Sequence, residues 1–173
     1  RLSGIPESGL ALMASLAEGH EGVAYRLTLD MPVYINVMTF ADDRDLREML
    51  YTAYATRASE QGPNAGEFDN GPLIAEILAL RHEQAQLLGY EHYAALSLAP
   101  KMADSVEQVD AFLHDLAVKA RPGAERDFDE LKAFAARECA IDALQPWDMT
   151  YVSEHLKQQR YALSQEELKP YFP

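Results

Sequence analysis

The sequence is poor in several residue types that define common classes of small protein. It has one cysteine, Cys139, in 173 residues, so no internal disulfide can form and a cysteine-rich zinc ribbon is excluded. No apolar run approaches the ~20 residues that a membrane-spanning helix needs. Basic residues are few, 15 against 28 acidic ones, and the formal net charge is -13. An acidic surface repels phosphate backbones, so we expect neither a nucleic-acid nor a membrane partner.

The single cysteine is interpreted as a structural residue. Glu138 precedes it, and a neighbouring negative charge raises the pKa of a thiol and so disfavours a reactive thiolate. Unpaired cysteine mostly behaves as a small apolar residue. A lone cysteine also fits a reducing compartment, so we expect a cytoplasmic protein. The chain begins at Arg1 without an initiating Met, and we expect it to be a piece of a longer protein.

Signatures of a self-contained active site are missing. There is no G-x-S-x-G elbow and no phosphate-binding P-loop, and the nearest approach to a metal motif is the stretch His82–Gln86, which reads HEQAQ. It is one residue short of H-E-x-x-H, because Gln86 offers a neutral amide where zinc needs a second histidine. At about 100° per residue, His82, Glu83 and Gln86 lie opposite the apolar arc of their helix, as expected of a solvated face.

The spacing of apolar residues predicts an all-α fold with at most one or two short strands. The stretch 23–29 alternates apolar and polar residues and is the best strand candidate. Residues 61–71 are rich in turn formers and predict a loop. A strongly amphipathic helix is then expected from Gly71 to about Leu88. We expect residues 1–173 to form a single helical segment.

Local signals place the later helices. Ser105 with Gln108 forms a capping box that opens a long helix, which Pro122 should kink or split. A further helix is expected from Trp147 to about Tyr161. Ser164 with Glu167 predicts a second capping box and a final short helix.

Aromatic residues near the C-terminus are the candidates for substrate contact. Trp147 and Tyr151 are four residues apart, so they share one helix face, and Tyr161 follows at the end of the same helix. Asp148 is placed to cap free N–H groups at the start of that helix. Packing is the ordinary explanation of the aromatic pair, and lining of a substrate channel is the functional hypothesis.

Several stretches in consistent order resemble the thimet oligopeptidase family of zinc metallopeptidases. They are TRASEQGPNAGEFDN (56–70), ILALRHEQAQLLGYEHYA (77–94), SLAPKMA (97–103), LQPWDMTYVSE (144–154) and SQEELKPYFP (164–173). The likeness covers nearly the whole chain, which makes it more specific than any single motif.

The resemblance implies a mostly helical peptidase with a zinc site at the floor of a deep, narrow channel that admits short unstructured peptides. In that family an H-E-x-x-H helix and a downstream Glu bind the zinc, and the Glu of the motif activates a zinc-bound water. None of these residues has a counterpart here, so the sequence contains no catalytic, cofactor-binding or metal-binding candidate. We expect the chain to supply scaffold and channel wall, to need zinc only in the longer parent, and to be inactive alone.

Expected partners are short peptides and the remainder of the parent chain, with self-association through helix faces left exposed. Two alternatives remain open from the residues. The chain could be a stand-alone helical module that binds peptides or proteins in a groove. It could also be an independent helical enzyme with a dispersed site.

Overall fold

The structure, a computed structural model, describes residues 1–162 and residue 171. This part of the chain contains no strand, which confirms the expected all-α class. Its elements are α1 (Glu7–Ser15), α2 (Met31–Phe40), α3 (Arg44–Ala55), α4 (Gly71–Leu87), α5 (Tyr93–Leu98), α6 (Val106–Glu138), a 3₁₀ turn (Pro146–Asp148) and α7 (Met149–Tyr161). None of the helices in the described ranges is long and apolar enough to cross a membrane.

The chain divides into two compact units. The first unit comprises residues 1–57 and 129–173, and the second unit comprises residues 58–128. Helix α6 contributes its early part to the second unit and its last part, from Asp129, to the first. Each unit is described by itself.

The first unit buries two clusters of apolar side chains. The larger cluster joins α1, α2 and α3 and consists of Ile5, Met13, Val33, Tyr34, Val37, Met38, Ala41, Leu46 and Leu50. The smaller cluster joins the end of α6 to α7 and consists of Leu131, Phe134, Ala135, Ile141 and Val152. Together they give this unit a dry interior, the main source of stability in a helical protein.

A glycine permits the close approach of the N-terminal turn to α2. Gly4 has a φ of +86°, and a Cβ at this position would lie 2.1 Å from the carbonyl oxygen of Phe40. Any side chain would therefore both strain the backbone and collide with a main-chain atom. The turn places Ile5 in the larger cluster, and Ser3 accepts a main-chain hydrogen bond from Asp42 at 2.9 Å.

The second unit buries much less. It contains α4, α5 and the early part of α6, and α4 packs chiefly on α5. Among its residues, Ala85 is the buried apolar side chain. Large apolar side chains of α4 and α6 are exposed instead: Leu73, Ile74, Ile77, Leu78, Leu80 and Leu87 on α4, and Phe112, Leu113, Leu116 and Val118 on α6. The strong amphipathicity predicted for α4 was wrong, because its apolar residues are concentrated along its first half, in residues 73–80, and its polar residues in its second half.

The strand predicted over residues 23–29 was wrong. The stretch is extended without ladder pairing, and its Arg26 N–H donates instead to the carbonyl of Met13 at 2.9 Å. A lone alternating segment needs a second strand to pair with, and the described chain offers none. Leu27 and Leu29 pack against the larger cluster, whereas Val23 and Tyr25 are exposed, so burial on one side explains the second half of the alternation.

Proline does not split the long helix. Helix α6 runs without a break through Pro122, although proline removes one i→i−4 hydrogen bond. The carbonyl left without a donor belongs to Val118, whose residue is 58% exposed, so water can satisfy it. At the start of α6, Ser105 Oγ accepts from the Gln108 N–H at 3.1 Å as predicted. The Gln108 side chain, however, accepts from the N–H of Asp104 rather than of Ser105.

The boundaries of the other elements follow the predictions closely. The loop predicted over residues 61–71 is observed as part of a longer non-helical stretch, 56–70, and α4 begins at Gly71. The helix predicted from Trp147 begins as a 3₁₀ turn and continues as α7 to Tyr161. The final helix predicted from the Ser164 and Glu167 capping box lies outside the described residues.

Candidate functional site

A buried ion pair organises the first unit around the start of α7. Arg47 of α3 is 1% exposed and Asp148 is fully buried, and the Arg47 guanidinium donates to the Asp148 carboxylate at 2.9 Å. The two residues are 101 positions apart in the chain. Because a buried charge is tolerated only when it is paired and hydrogen-bonded, this contact fixes α3 against the 3₁₀ turn.

The remaining polar atoms of the pair also have partners. Arg47 donates to the carbonyl oxygens of Ala41 at 2.6 Å and of Trp147 at 3.2 Å. Asp148 accepts from Arg44 at 2.7 Å and from the N–H of Gln145 at 3.0 Å. The last contact is the capping role predicted for Asp148, with the ion pairs added to it.

The protonation state of Asp148 follows from this environment. Burial alone would raise the pKa of its carboxyl, but the hydrogen bonds from Arg44, Arg47 and the Gln145 N–H outweigh burial, and the net pKa is lowered. Asp148 is therefore an anion at neutral pH. A carboxylate saturated with donors in this way holds structure and is a poor proton acceptor for a substrate.

Tyr151 is attached to the same cluster from α7. The Arg47 guanidinium lies 4.0 Å from the centre of its ring, in a cation–π contact. Its hydroxyl donates to the Asp42 carboxylate at 3.0 Å, and Asp42 also accepts from the Ser3 hydroxyl at 2.7 Å. Burial, followed by this hydrogen bond, raises the pKa of Tyr151 to about 12. The His155 ring lies 4.3 Å from the Tyr151 ring.

The three aromatic candidates are not gathered in one place. Trp147 lies beside Tyr51, with ring centres 5.9 Å apart, and contributes its carbonyl to Arg47. Its ring N–H is buried and has no hydrogen-bond partner among the described residues. Trp147 contacts Arg47 through its main-chain carbonyl and Tyr151 contacts it through its ring, while the two side chains pack against different clusters. Tyr161, at the end of α7, is 68% exposed and lies outside this cluster.

Arg44 and Arg47, which hold this cluster together, were not predicted from the sequence. Arg47 is on the buried face of α3, between Leu46 and Leu50, where an arginine would otherwise be unexpected. An arginine in an apolar helix stripe was the available signal, because a buried guanidinium requires a partner carboxylate. That signal does not say which of the many acidic residues is the partner.

Metal-ligating side chains do not converge in the part of the chain that the structure describes. No group of three or more His, Cys, Asp or Glu residues there could hold a metal ion. His82 and Glu83 are exposed on α4, as predicted for a solvated face. The Gln86 amide donates to the carbonyl of Glu91 at 2.7 Å. The residues present therefore do not fit a zinc site.

Cys139 has the environment of a structural residue. It is half-buried and packs against the smaller cluster of the first unit. Burial is the main cause that raises the pKa of its thiol, and Glu138 raises it further, as predicted. The neighbouring Arg47 acts in the opposite direction but does not reverse the shift.

An open cavity of about 520 Å³ lies in the second unit, between α5 and the start of α6. Its wall includes His92, Lys101, Asp104 and Glu107. The His92 ring is already used in capping α5, since its Nδ1 accepts from the N–H of Ala95 at 3.1 Å. The cavity is polar and mixed in charge, and no set of side chains in it converges on one ligand atom.

Comparison with known proteins identifies relatives along the whole chain. Residues 37–173 match Peptidase family M3. The chain is 56% identical over 172 residues to Oligopeptidase A of Salmonella typhimurium and also 56% identical to that of Escherichia coli. It is 42% identical over 180 residues to "Probable cytosolic oligopeptidase A" of Arabidopsis thaliana. Each match covers 99% of this chain but 25% of the relative. The chain thus spans about a quarter of the length of these proteins.

Proposed function

Because the chain belongs to peptidase family M3, we propose that it forms part of a zinc-dependent oligopeptidase that hydrolyses short, unstructured peptides. The observation that carries the proposal is the 56% identity to Oligopeptidase A, which extends over 99% of the chain. Peptides are the substrates, and the rest of the peptidase is the partner. A cytoplasmic location is supported by the single cysteine, which fits a reducing compartment.

We propose that these 173 residues supply scaffold and channel wall rather than chemistry. The H-E-x-x-H helix of the family has no counterpart in the sequence, and the nearest match places an engaged amide, Gln86, at the second ligand position. Zinc in the longer protein would activate water for attack on the peptide carbonyl. The chain's own part is to hold helices in place, as the cluster of Arg47 and Asp148 does for α3 and α7.

Of the three aromatic residues proposed for the channel, Tyr161 is the one presented for contact, with 68% of its surface exposed. Trp147 and Tyr151 support the proposal indirectly. Their rings and main chain are engaged with Tyr51, Arg47 and Asp42, so their part is to orient α7.

The proposal is tested by metal analysis and peptide hydrolysis on the purified chain, with Escherichia coli Oligopeptidase A measured in parallel. After dialysis against metal-free buffer, the chain should retain no stoichiometric zinc and should not cleave a short peptide on addition of zinc. The exchange protein is Escherichia coli Oligopeptidase A in which this chain replaces the matched 172 residues. It should bind zinc and cleave the same peptide.

Tight binding of one zinc per isolated chain would overturn the division of roles. Cleavage by the isolated chain would do the same, and would support an independent helical enzyme. Failure of a folded, zinc-loaded exchange protein to cleave peptides would overturn the assignment to an oligopeptidase.

A further inference from the structure

Helix α4 presents an apolar face that nothing in its own unit covers. Its six large apolar residues, Leu73, Ile74, Ile77, Leu78, Leu80 and Leu87, are each between 46% and 80% exposed. At about 100° per residue they fall within one half of the helix surface, with Ile77 near the centre, and the same half carries Arg81 and Gln84 towards the C-terminal end. This set is called the α4 face.

The helix is otherwise well placed to be a docking element. Its polar side, which carries His82 and Glu83, is exposed as well, so α4 is anchored mainly at its C-terminal end. There Ala85 is fully buried and accepts from the Tyr90 N–H at 2.9 Å, and the Arg81 guanidinium lies 5.0 Å from the Tyr93 ring centre. These contacts with α5 and the segment before it cover the C-terminal end of the same side of the helix and leave the six residues of the α4 face exposed.

Five of the six residues lie close together in residues 73–80, and a group of exposed large apolar residues of this kind is unusual on a complete protein surface. Isolated exposed leucines are common, but contiguous apolar patches of more than a few hundred Å² mark a surface that another surface covers. The first unit shows that this chain buries apolar helix faces where a partner helix is available, since α2 and α3 place Val33, Val37 and Leu50 inside. The α4 face therefore lacks a partner rather than the ability to pack.

We propose that the α4 face docks on an apolar surface of the remaining peptidase chain, the part of the relatives outside the matched residues. This inference rests on the proposed function, because it takes the chain to be one part of an M3 peptidase. Two observations favour that occupant over a second copy. The relatives that match 99% of this chain are about four times longer, since the match covers 25% of them. The chain also carries a net charge of -13, which opposes close approach of two copies.

The first experiment is hydroxyl-radical footprinting, which measures the solvent accessibility of individual leucine, isoleucine and methionine side chains. It compares the isolated chain with the longer exchange protein, in which this chain replaces the matched 172 residues of Escherichia coli Oligopeptidase A. Ile77, Leu78 and Leu80 should be oxidised several-fold more slowly in the longer protein. Met102, which is fully exposed in the structure, calibrates an open site, and buried Met13 calibrates a protected one.

Labelling of the α4 face at the same rate in both proteins would overturn the proposal. So would protection in the isolated chain that is lost on dilution, because the occupant would then be a second copy. Protection in the isolated chain that does not depend on dilution would mean that the second unit closes on its own apolar residues, which also contradicts the proposal.

A matched pair of variants tests the face directly. Ile77→Asp places a charge at its centre, while Ala79→Asp places the same charge on the exposed opposite side of α4. Aspartate costs more helix propensity in place of alanine than in place of isoleucine, so the control is the more demanding one for the helix itself. In the longer protein, Ile77→Asp should lower the unfolding midpoint well below that of Ala79→Asp. In the isolated chain, the Ile77 substitution should have no larger effect than the control. Equal effects in the longer protein would contradict docking through this face.

The footprint and the activity assay separate this inference from the proposed function. Protection of the α4 face in an exchange protein that folds, binds zinc and cleaves no peptide would leave docking in place and remove the peptidase role. If the exchange protein cleaves peptides while its α4 face stays fully labelled, the peptidase role stands and docking through the α4 face is contradicted.

Discussion

The two units of this chain differ in where they place their apolar side chains. The first unit buries fourteen of them in two clusters built from α1, α2, α3, α7 and the end of α6. The second unit buries Ala85 and exposes large apolar residues along both α4 and the early part of α6. Both regions have ordinary helical sequences, so the difference is not one of helix-forming tendency.

A sequence that forms a helix does not by itself ensure that the apolar side chains of that helix are buried. A short helix is marginal in water, and most of its stability in a protein comes from the face that it buries. The first unit meets this requirement internally and adds the buried pair of Arg47 and Asp148. The second unit does not, and we infer that its stability depends on surfaces outside the 173 residues.

The largest expected effect comes from breaking the buried pair. Asp148→Ala leaves the Arg47 guanidinium buried without a counter-charge, which should cost ~3–5 kcal/mol of unfolding free energy. Trp147, the one tryptophan, lies next to the substitution, so urea unfolding followed by its fluorescence reports on the first unit. The matched control is Asp129→Ala, which breaks the exposed Lys132–Asp129 pair of 3.2 Å in the same unit. That control should cost less than ~1 kcal/mol. Similar losses in the two variants would mean that the buried pair does not hold the first unit together.

Truncation of one apolar side chain in each unit tests the comparison itself. Met13 is fully buried in the larger cluster. Met13→Ala should lower the free energy of unfolding by ~2–5 kcal/mol, because it leaves a cavity. Leu78, which is 59% exposed on α4, should change stability by no more than about 0.5 kcal/mol on Leu78→Ala. Urea unfolding followed by far-ultraviolet circular dichroism measures both. A large loss for Leu78→Ala in the isolated chain would show that the second unit already buries this face.

Much of the fold was predictable because its signals are local. Helix starts at Arg44, Gly71 and Val106 follow from the residues at or just before the helix, as when the Asp43 carboxylate accepts the Leu46 N–H at 2.9 Å. The strand predicted over residues 23–29 failed because alternation reports burial on one side and says nothing about a pairing strand. Pro122 within α6 failed as a break because an exposed carbonyl can be hydrated.

Less of the candidate site was predictable because its contacts are distant in sequence. Trp147, Asp148 and Tyr151 could be selected from their positions around a helix start. The partners of Asp148 and Tyr151, Arg47 and Asp42, lie more than a hundred residues earlier in the chain. The chain has 28 acidic and 15 basic residues, and nothing in the local pattern selects these two among them. Long-range electrostatic pairing depends on how the helices pack, which periodicity does not determine.

The smallest expected effect comes from removing an exposed polar contact of the first unit, in contrast to its buried ion pair. Tyr151→Phe removes the hydrogen bond to Asp42, and because Asp42 is exposed and can be hydrated, the cost at neutral pH should be only about 1 kcal/mol. The effect on pH dependence is more specific. The pKa of Tyr151 is raised to about 12 in the folded chain, against about 10 for an ordinary tyrosine.

The sign of that dependence follows from proton binding. Below pH ~10 both the folded and the unfolded states keep the phenol proton, so the stabilisation is fully present. As the pH rises from ~10 towards the folded-state value, the unfolded state releases the proton first and the stabilisation is lost. Tyrosinate absorbance should show a late ionisation step near 12 that Tyr151→Phe removes, with Tyr161→Phe as the control. If Tyr151→Phe removes no tyrosine from the late step, that step belongs to another residue, such as Tyr34, whose pKa burial also raises, and the raised pKa of Tyr151 is contradicted.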